Sequence, residues 1–249
     1  MMRSANPALG DDTFRAVGNI NSRNEAMTVQ GVVYKTALLL LLVVLSAGWT
    51  WMHFVNAGSD VSSVSSLMMI GAIGGLVVAV VTVFKKEWAA YTAPIYALLE
   101  GLFIGGISAV FNASYPGIAL QAAALTFGTL FAMLALYQAG IVRATESFKM
   151  GVFAATGGIA IVYLASMALG FFGISIPGIF GNGLVGIGFS LFVVAIAALN
   201  LVIDFDFIEQ GTAARAPKYM EWYGAFAMMV TLVWLYIEIL RLLSKLRDR

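Results

Sequence analysis

The sequence predicts an all-α, polytopic membrane protein: a bundle of seven transmembrane helices. Three observations carry that expectation. Of the 249 residues, 61% are hydrophobic and only 11% charged; seven apolar runs are each long enough to cross a bilayer; and basic residues collect in alternate connections between them. A soluble domain holds roughly 45–50% apolar and about 25% charged residues. One water-facing core of this size could not hide so much apolar surface, so lipid must cover much of it.

The chain divides into a polar N-terminal arm, residues 1–30, and a transmembrane domain, residues 31–249. The arm has no short basic segment followed by an apolar run, so no cleavable leader is expected. It reads as a disordered or surface-lying cytoplasmic tail ahead of an uncleaved first span. A crossing helix needs about 20 apolar residues for a hydrocarbon core about 30 Å thick. Runs of that kind fall at 33–55, 63–84, 92–112, 117–138, 149–171, 183–203 and 222–243. Short connections with turn chemistry separate several of them: Asn56–Asp60, Tyr115-Pro116-Gly117, and Ile176-Pro177-Gly178 with Gly181-Asn182-Gly183. Unpaired backbone groups are costly in lipid, and no run alternates polar with apolar residues as a barrel strand would, so helices are expected throughout.

Lysine and arginine orient the bundle. Arg3, Arg15, Arg23 and Lys35 precede or open span one; Lys85 and Lys86 follow span two; Arg143 and Lys149 follow span four; Arg215 and Lys218 follow span six. The loops after spans one, three and five have no basic residue. The N-terminus and the even-numbered loops are therefore expected in the cytoplasm, a pattern compatible with a bacterial inner membrane. The tail disagrees, because Arg241, Lys245, Arg247 and Arg249 would lie outside after seven crossings. Either the tail crosses against the charge rule or one segment is re-entrant; seven crossings is the expectation.

Several functions are disfavoured at once. The net charge of +1 gives no electrostatic reason to bind nucleic acid. With no cysteine and a single histidine, His53, there is no thiolate chemistry, no zinc-protease motif and no Ser–His arrangement. His53 follows Trp49 and Trp51, as a residue at the membrane boundary would. No enzyme and no cofactor are expected. Glycines punctuate spans two, three and six, and Gly101 with Gly105 forms a small-xxx-small pair that allows close helix packing. The alternative reading is a permeation path lined by small residues.

Charge at membrane depth is expensive, so ionisable groups inside the spans are the functional candidates. Glu100 sits mid-span with no basic residue within a turn. A carboxyl so isolated can carry a proton at neutral pH; the alternative is a protonated acid bonded to a neighbouring helix. Span six closes with Asn200, Asp204, Asp206 and Glu209, of which Asn200 and Asp204 share a helix face. These oxygens could serve a hard cation such as calcium, although Asp206 and Glu209 also suit a solvated cytoplasmic end. Glu238 stands three residues before Arg241, the spacing of an ordinary helical ion pair. Glu221 opens span seven and reads as interfacial.

Several segments resemble one family. The arm (SANPALGDDTF, then MTVQGVVYKT), Tyr96–Gly105 (YALLEGLFIG) and the ending ALNLVIDFDFIEQG, APKYMEWYGAF and LVWLYIEILRLLSKL are similar to the bacterial Bax inhibitor-1-like membrane proteins. The resemblance spans nearly the whole chain and is most specific in spans three, six and seven. It implies a bundle whose last helix is central. It also implies a pH-sensitive calcium leak, in which two aspartates of the last two helices share a proton and control a pore with a basic latch. Asp204 matches the sixth-helix aspartate, whereas Thr231 stands where the seventh-helix aspartate would be. Glu100, Glu221 or Glu238 is then a replacement acid, Glu100 being the deepest. Lys85 and Lys86 are the latch candidates. The leading expectation is a calcium pathway lined by Asp204 and Glu100, with calcium as the carried ion. The competing one is a membrane regulator that binds a protease or quality-control partner through the arm. A secondary transporter is a third reading, disfavoured by the absence of repeats.

Overall fold

The computed structural model describes residues 26–173 and 178–248. Most of the polar arm, with Arg3, Arg15 and Arg23, lies outside the described residues, as do Ile176, Pro177 and Arg249. Seven helices are long and apolar enough to cross a membrane. They are α1 (Val29–Asn56), α2 (Ser62–Phe84), α3 (Ala89–Ser114), α4 (Ile118–Gln138), α5 (Glu146–Phe171), α6 (Leu184–Ala213) and α7 (Met220–Arg247).

Local chemistry sets the helix starts. The Thr28 hydroxyl accepts the Gly31 N–H at 3.0 Å and opens α1, while the Thr145 hydroxyl accepts the Phe148 N–H at 3.3 Å and opens α5. Such caps satisfy backbone donors that the first helical turn leaves over. Between α1 and α2, Asp60 accepts the Ser62 N–H at 3.0 Å. Hydrogen bonds from Ser62 hold the Asp60 carboxyl below its usual 3.8.

The last helix is the axis of the bundle. α7 has the largest buried share of the seven, 56%, against 17% for α1 and 11% for α5. It packs on α1, α3, α4 and α6. Its inward residues Tyr223, Met229, Leu235 and Leu240 are fully buried, and they join Leu39, Ala93, Ala97, Ile118 and Leu201 in one core. The glycines of α3 serve close packing. A Cβ on Gly105 would stand 2.4 Å from the Ala47 carbonyl oxygen of α1, and one on Gly101 would stand 2.7 Å from that of Val43. On α5, by contrast, a Cβ on Gly151, Gly157 or Gly158 would meet open space.

Helix α6 runs ten residues past the expected end of its span, from 203 to Ala213. The extension stays helical because Phe205, Phe207, Ile208 and Gly211 are buried against the rest of the bundle. Tertiary packing, not hydropathy, decides where this helix stops.

The first and last described residues lie at opposite ends of the bundle. At one end, Met27 donates its N–H to the Ala216 carbonyl at 2.7 Å, and Ala26 bridges Pro217 in the loop after α6. At the other end, Arg247 reaches the Pro116 carbonyl at 3.0 Å and the Gln121 amide oxygen at 2.9 Å. There Asp248 accepts bonds from Tyr115 and Asn182, and the first of these pushes the Tyr115 phenol above its usual 10.0. Lys245, only 4% exposed, donates to the Ile179 and Gly186 carbonyls. The basic tail therefore sits with the odd-numbered loops, as seven crossings require. Arg241, Lys245 and Arg247 are each engaged with the folded bundle.

Candidate functional site

Helix α6 presents Asp204 to the axis. The residue is buried, and a side-chain hydrogen bond joins it to Thr231 of α7. Its Oδ2 accepts no hydrogen bond from any described residue. Ser190, also on α6, is the other buried side chain with an unpaired oxygen. The 14 steps from Ser190 to Asp204 bring both to one helix face about 21 Å apart, at about 100° and 1.5 Å per residue. A buried oxygen without a donor costs roughly 1–3 kcal/mol, so this stripe is the place where the bundle carries a polarity its packing does not use.

The neighbouring acids have different surroundings. Asp206 points away and pairs with Lys149 of α5 at 2.6 Å, and it also accepts from Gln210 at 2.6 Å. Glu209 is exposed and accepts from Tyr137 of α4 at 2.5 Å. Asn200 donates to Thr156 of α5 and to the Ile196 carbonyl, both at 2.9 Å. The polar residues that close α6 thus engage three helices: Asn200 and Asp206 meet α5, Glu209 meets α4 and Asp204 meets α7. Among the described residues, no three histidine or acid side chains converge to hold a metal ion.

Glu100 is half-buried and turned towards α2, where its Oε1 lies 3.0 Å from the position a Cβ on Gly75 would take. Tyr96, one turn earlier, hydrogen-bonds it and places its ring edge-on to Phe226 of α7, with centroids 5.0 Å apart. Glu100 and Asp204 therefore occupy different helix interfaces.

The two acids of α7 are both paired. Glu238, 2% exposed, accepts Arg241 Nη1 at 3.0 Å, the expected helical pair. The hydroxyl of Tyr163 on α5 also reaches both of its oxygens at 3.0 Å. Glu221 stands in the first turn of α7, at the head of the span, and is fully buried within the protein. Its carboxylate accepts the Thr28 N–H at 2.9 Å and the Thr28 hydroxyl at 2.8 Å, and it pairs with Lys218 at 2.8 Å and with Lys35 of α1. Only Lys218, three residues away, is a partner that sequence spacing could show. Thr28, Lys35 and Tyr163 are distant in sequence and carry no motif.

The two latch candidates differ in position. Lys85 is exposed and caps the end of α2. Lys86 is half-buried and holds its Nζ 5.6 Å from the centre of the Tyr223 ring. Tyr223 in turn packs on Phe207, with centroids 6.1 Å apart. Lys86 therefore contacts α7 at Tyr223, eight residues before Thr231.

Compared with known families, residues 6–248 match the profile described as Bax inhibitor 1 like. The chain belongs to that family. No curated protein and no solved structure matches it. In this Bax inhibitor 1 like protein the last helix is central, and Thr231 on it faces Asp204 with a hydroxyl. The site is one buried acid and a hydroxyl across the α6–α7 interface.

Proposed function

We propose that this Bax inhibitor 1 like protein is a passive, pH-sensitive cation leak that carries calcium and performs no catalysis. The observation behind this reading is Asp204: a buried carboxyl on the axis of the bundle, with one oxygen bonded to Thr231 and the other unpaired. Ionised, it offers a cation two oxygens inside an apolar bundle; protonated, it removes that charge. Its neighbours along α6, Leu201, Phe205 and Phe207, are buried, which suits a closed path. Separation of α6 from α7 would open it. Ser190 supplies a second polar step on the same face of α6. Glu100, on the α2–α3 side, is secondary in this scheme. In this reading the N-terminus faces the cytoplasm of a bacterial inner membrane and α7 ends outside, which the basic even-numbered loops support.

The test is calcium entry into liposomes that contain the purified protein, followed with an enclosed indicator at a series of pH values. Flux above protein-free liposomes, changing with pH, is expected. Absence of flux from correctly folded protein at every pH between acidic and neutral would sink the proposal and favour a regulator that acts by binding another membrane protein.

A further inference from the structure

Helices α1 and α4 both pack on α7 but hardly touch each other. The gap between them is a groove of about 940 Å³. Its walls are apolar, with Val33 and Leu40 from α1 and Phe131 and Leu134 from α4, and Phe205 and Met228 form its floor. Its mouth lies where α4 and α6 end, and it is lined by Arg143 and Glu209 together with Tyr137 and Asp206. Among the charges there, Asp206 is already neutralised by Lys149 at 2.6 Å. Arg143 donates its Nε to the Gly140 carbonyl at 3.1 Å, and its Nη groups have no partner among the described residues. Glu209 accepts only the Tyr137 hydroxyl. The mouth thus presents one guanidinium and one carboxylate that do not pair with each other.

We propose that this groove is a binding site for a single phospholipid with a primary-amine headgroup, of the phosphatidylethanolamine class. The apolar length takes an acyl chain laterally from the membrane, as apolar clefts with a few convergent polar groups take ligands generally. At the mouth, Arg143 donates to the phosphate in the geometry that suits a guanidinium, and Glu209 accepts from the ammonium. A purely anionic headgroup would leave Glu209 unmatched and repelling. A choline headgroup has no N–H for Glu209 to accept. The site is separate from the proposed ion path, because Asp204 faces α7 and does not line the groove.

Native mass spectrometry of the purified full-length chain tests this, with equimolar phosphatidylethanolamine, phosphatidylglycerol and phosphatidylcholine added in mild detergent. Retention of one phosphatidylethanolamine, severalfold over the other two, is expected. Glu209→Gln should cut that preference about two- to fivefold, the range of a solvent-accessible ion pair, whereas Arg143→Ala should lower retention of all three lipids, because each carries the phosphate. Leu134→Trp, which fills the groove, should lower retention of all three lipids. Equal retention of the three by the wild type, or a preference for phosphatidylglycerol, would overturn the proposal. So would a folded Glu209→Gln protein that leaves the preference unchanged. The wild-type competition decides the matter even if a variant does not fold.

Discussion

Replacing Glu221 with glutamine should release the start of the chain from the bundle. The carboxylate accepts the N–H and hydroxyl of Thr28 and pairs with Lys35 and Lys218, while being fully buried itself. An amide keeps the shape and one acceptor oxygen but loses the charge and turns an NH₂ towards the cations. Loss of one partner of a buried pair costs roughly 3–5 kcal/mol when the remaining charge is trapped. Here the cations are not trapped, because the Lys35 side chain is 20% exposed and that of Lys218 is 51% exposed. The Lys218 contact is then worth under about 1 kcal/mol. The Lys35 contact and the weakened Thr28 bonds contribute about 1–2 kcal/mol more, for a total of about 2 kcal/mol. Hydrogen exchange of the Met27 and Thr28 amides reads this directly. At 1.4 kcal/mol per factor of ten, exchange in Glu221→Gln should be about thirtyfold faster. Lys218→Ala should accelerate it less than about fivefold. If Glu221→Gln leaves the exchange unchanged, or if Lys218→Ala matches it, the buried carboxylate does not hold the chain start.

Two further outcomes follow from packing and local charge. Gly105→Val should destabilise the bundle by at least about 2 kcal/mol in a denaturing-detergent titration, because the new Cβ meets the backbone of Ala47 within 2.4–2.6 Å; Gly157→Ala on α5, which meets nothing within 4 Å, should be neutral or gain up to about 1 kcal/mol. The Asp60 carboxyl should titrate below 3.8 by NMR; because the folded value is depressed, its hold on the α1–α2 turn is present at neutral pH and lost as pH falls through that lowered value.

The seven helices were legible because crossing a bilayer is a demand on length and composition, and both are properties of the sequence itself. The end of α6 was not, because Phe205, Phe207 and Ile208 keep the helix going by packing on partners the sequence does not place. The tail shows the same limit. The charge rule counts Lys245 and Arg247 as free cations, whereas the fold commits them to carbonyls of the α3–α4 loop and the start of α6. Glu221 read as interfacial from its position at the head of a span, yet its partner Lys35 is 186 residues away. Glu100 and Asp204 looked alike as isolated acids at membrane depth. The rotation of each helix about its own axis separates them, turning one to α2 and the other to the central α7. Thr231 was visible only through the family resemblance, which aligned it with an acid; no property of a lone threonine in an apolar helix marks it.

Calcium flux as a function of pH, measured in liposomes for the wild type, Asp204→Asn and Glu100→Gln side by side, tests the central claim most directly. The Asp204 account expects a pH-dependent wild-type flux, a flat profile for Asp204→Asn, and a profile close to wild type for Glu100→Gln. A folded Asp204→Asn protein that keeps the wild-type profile would contradict it.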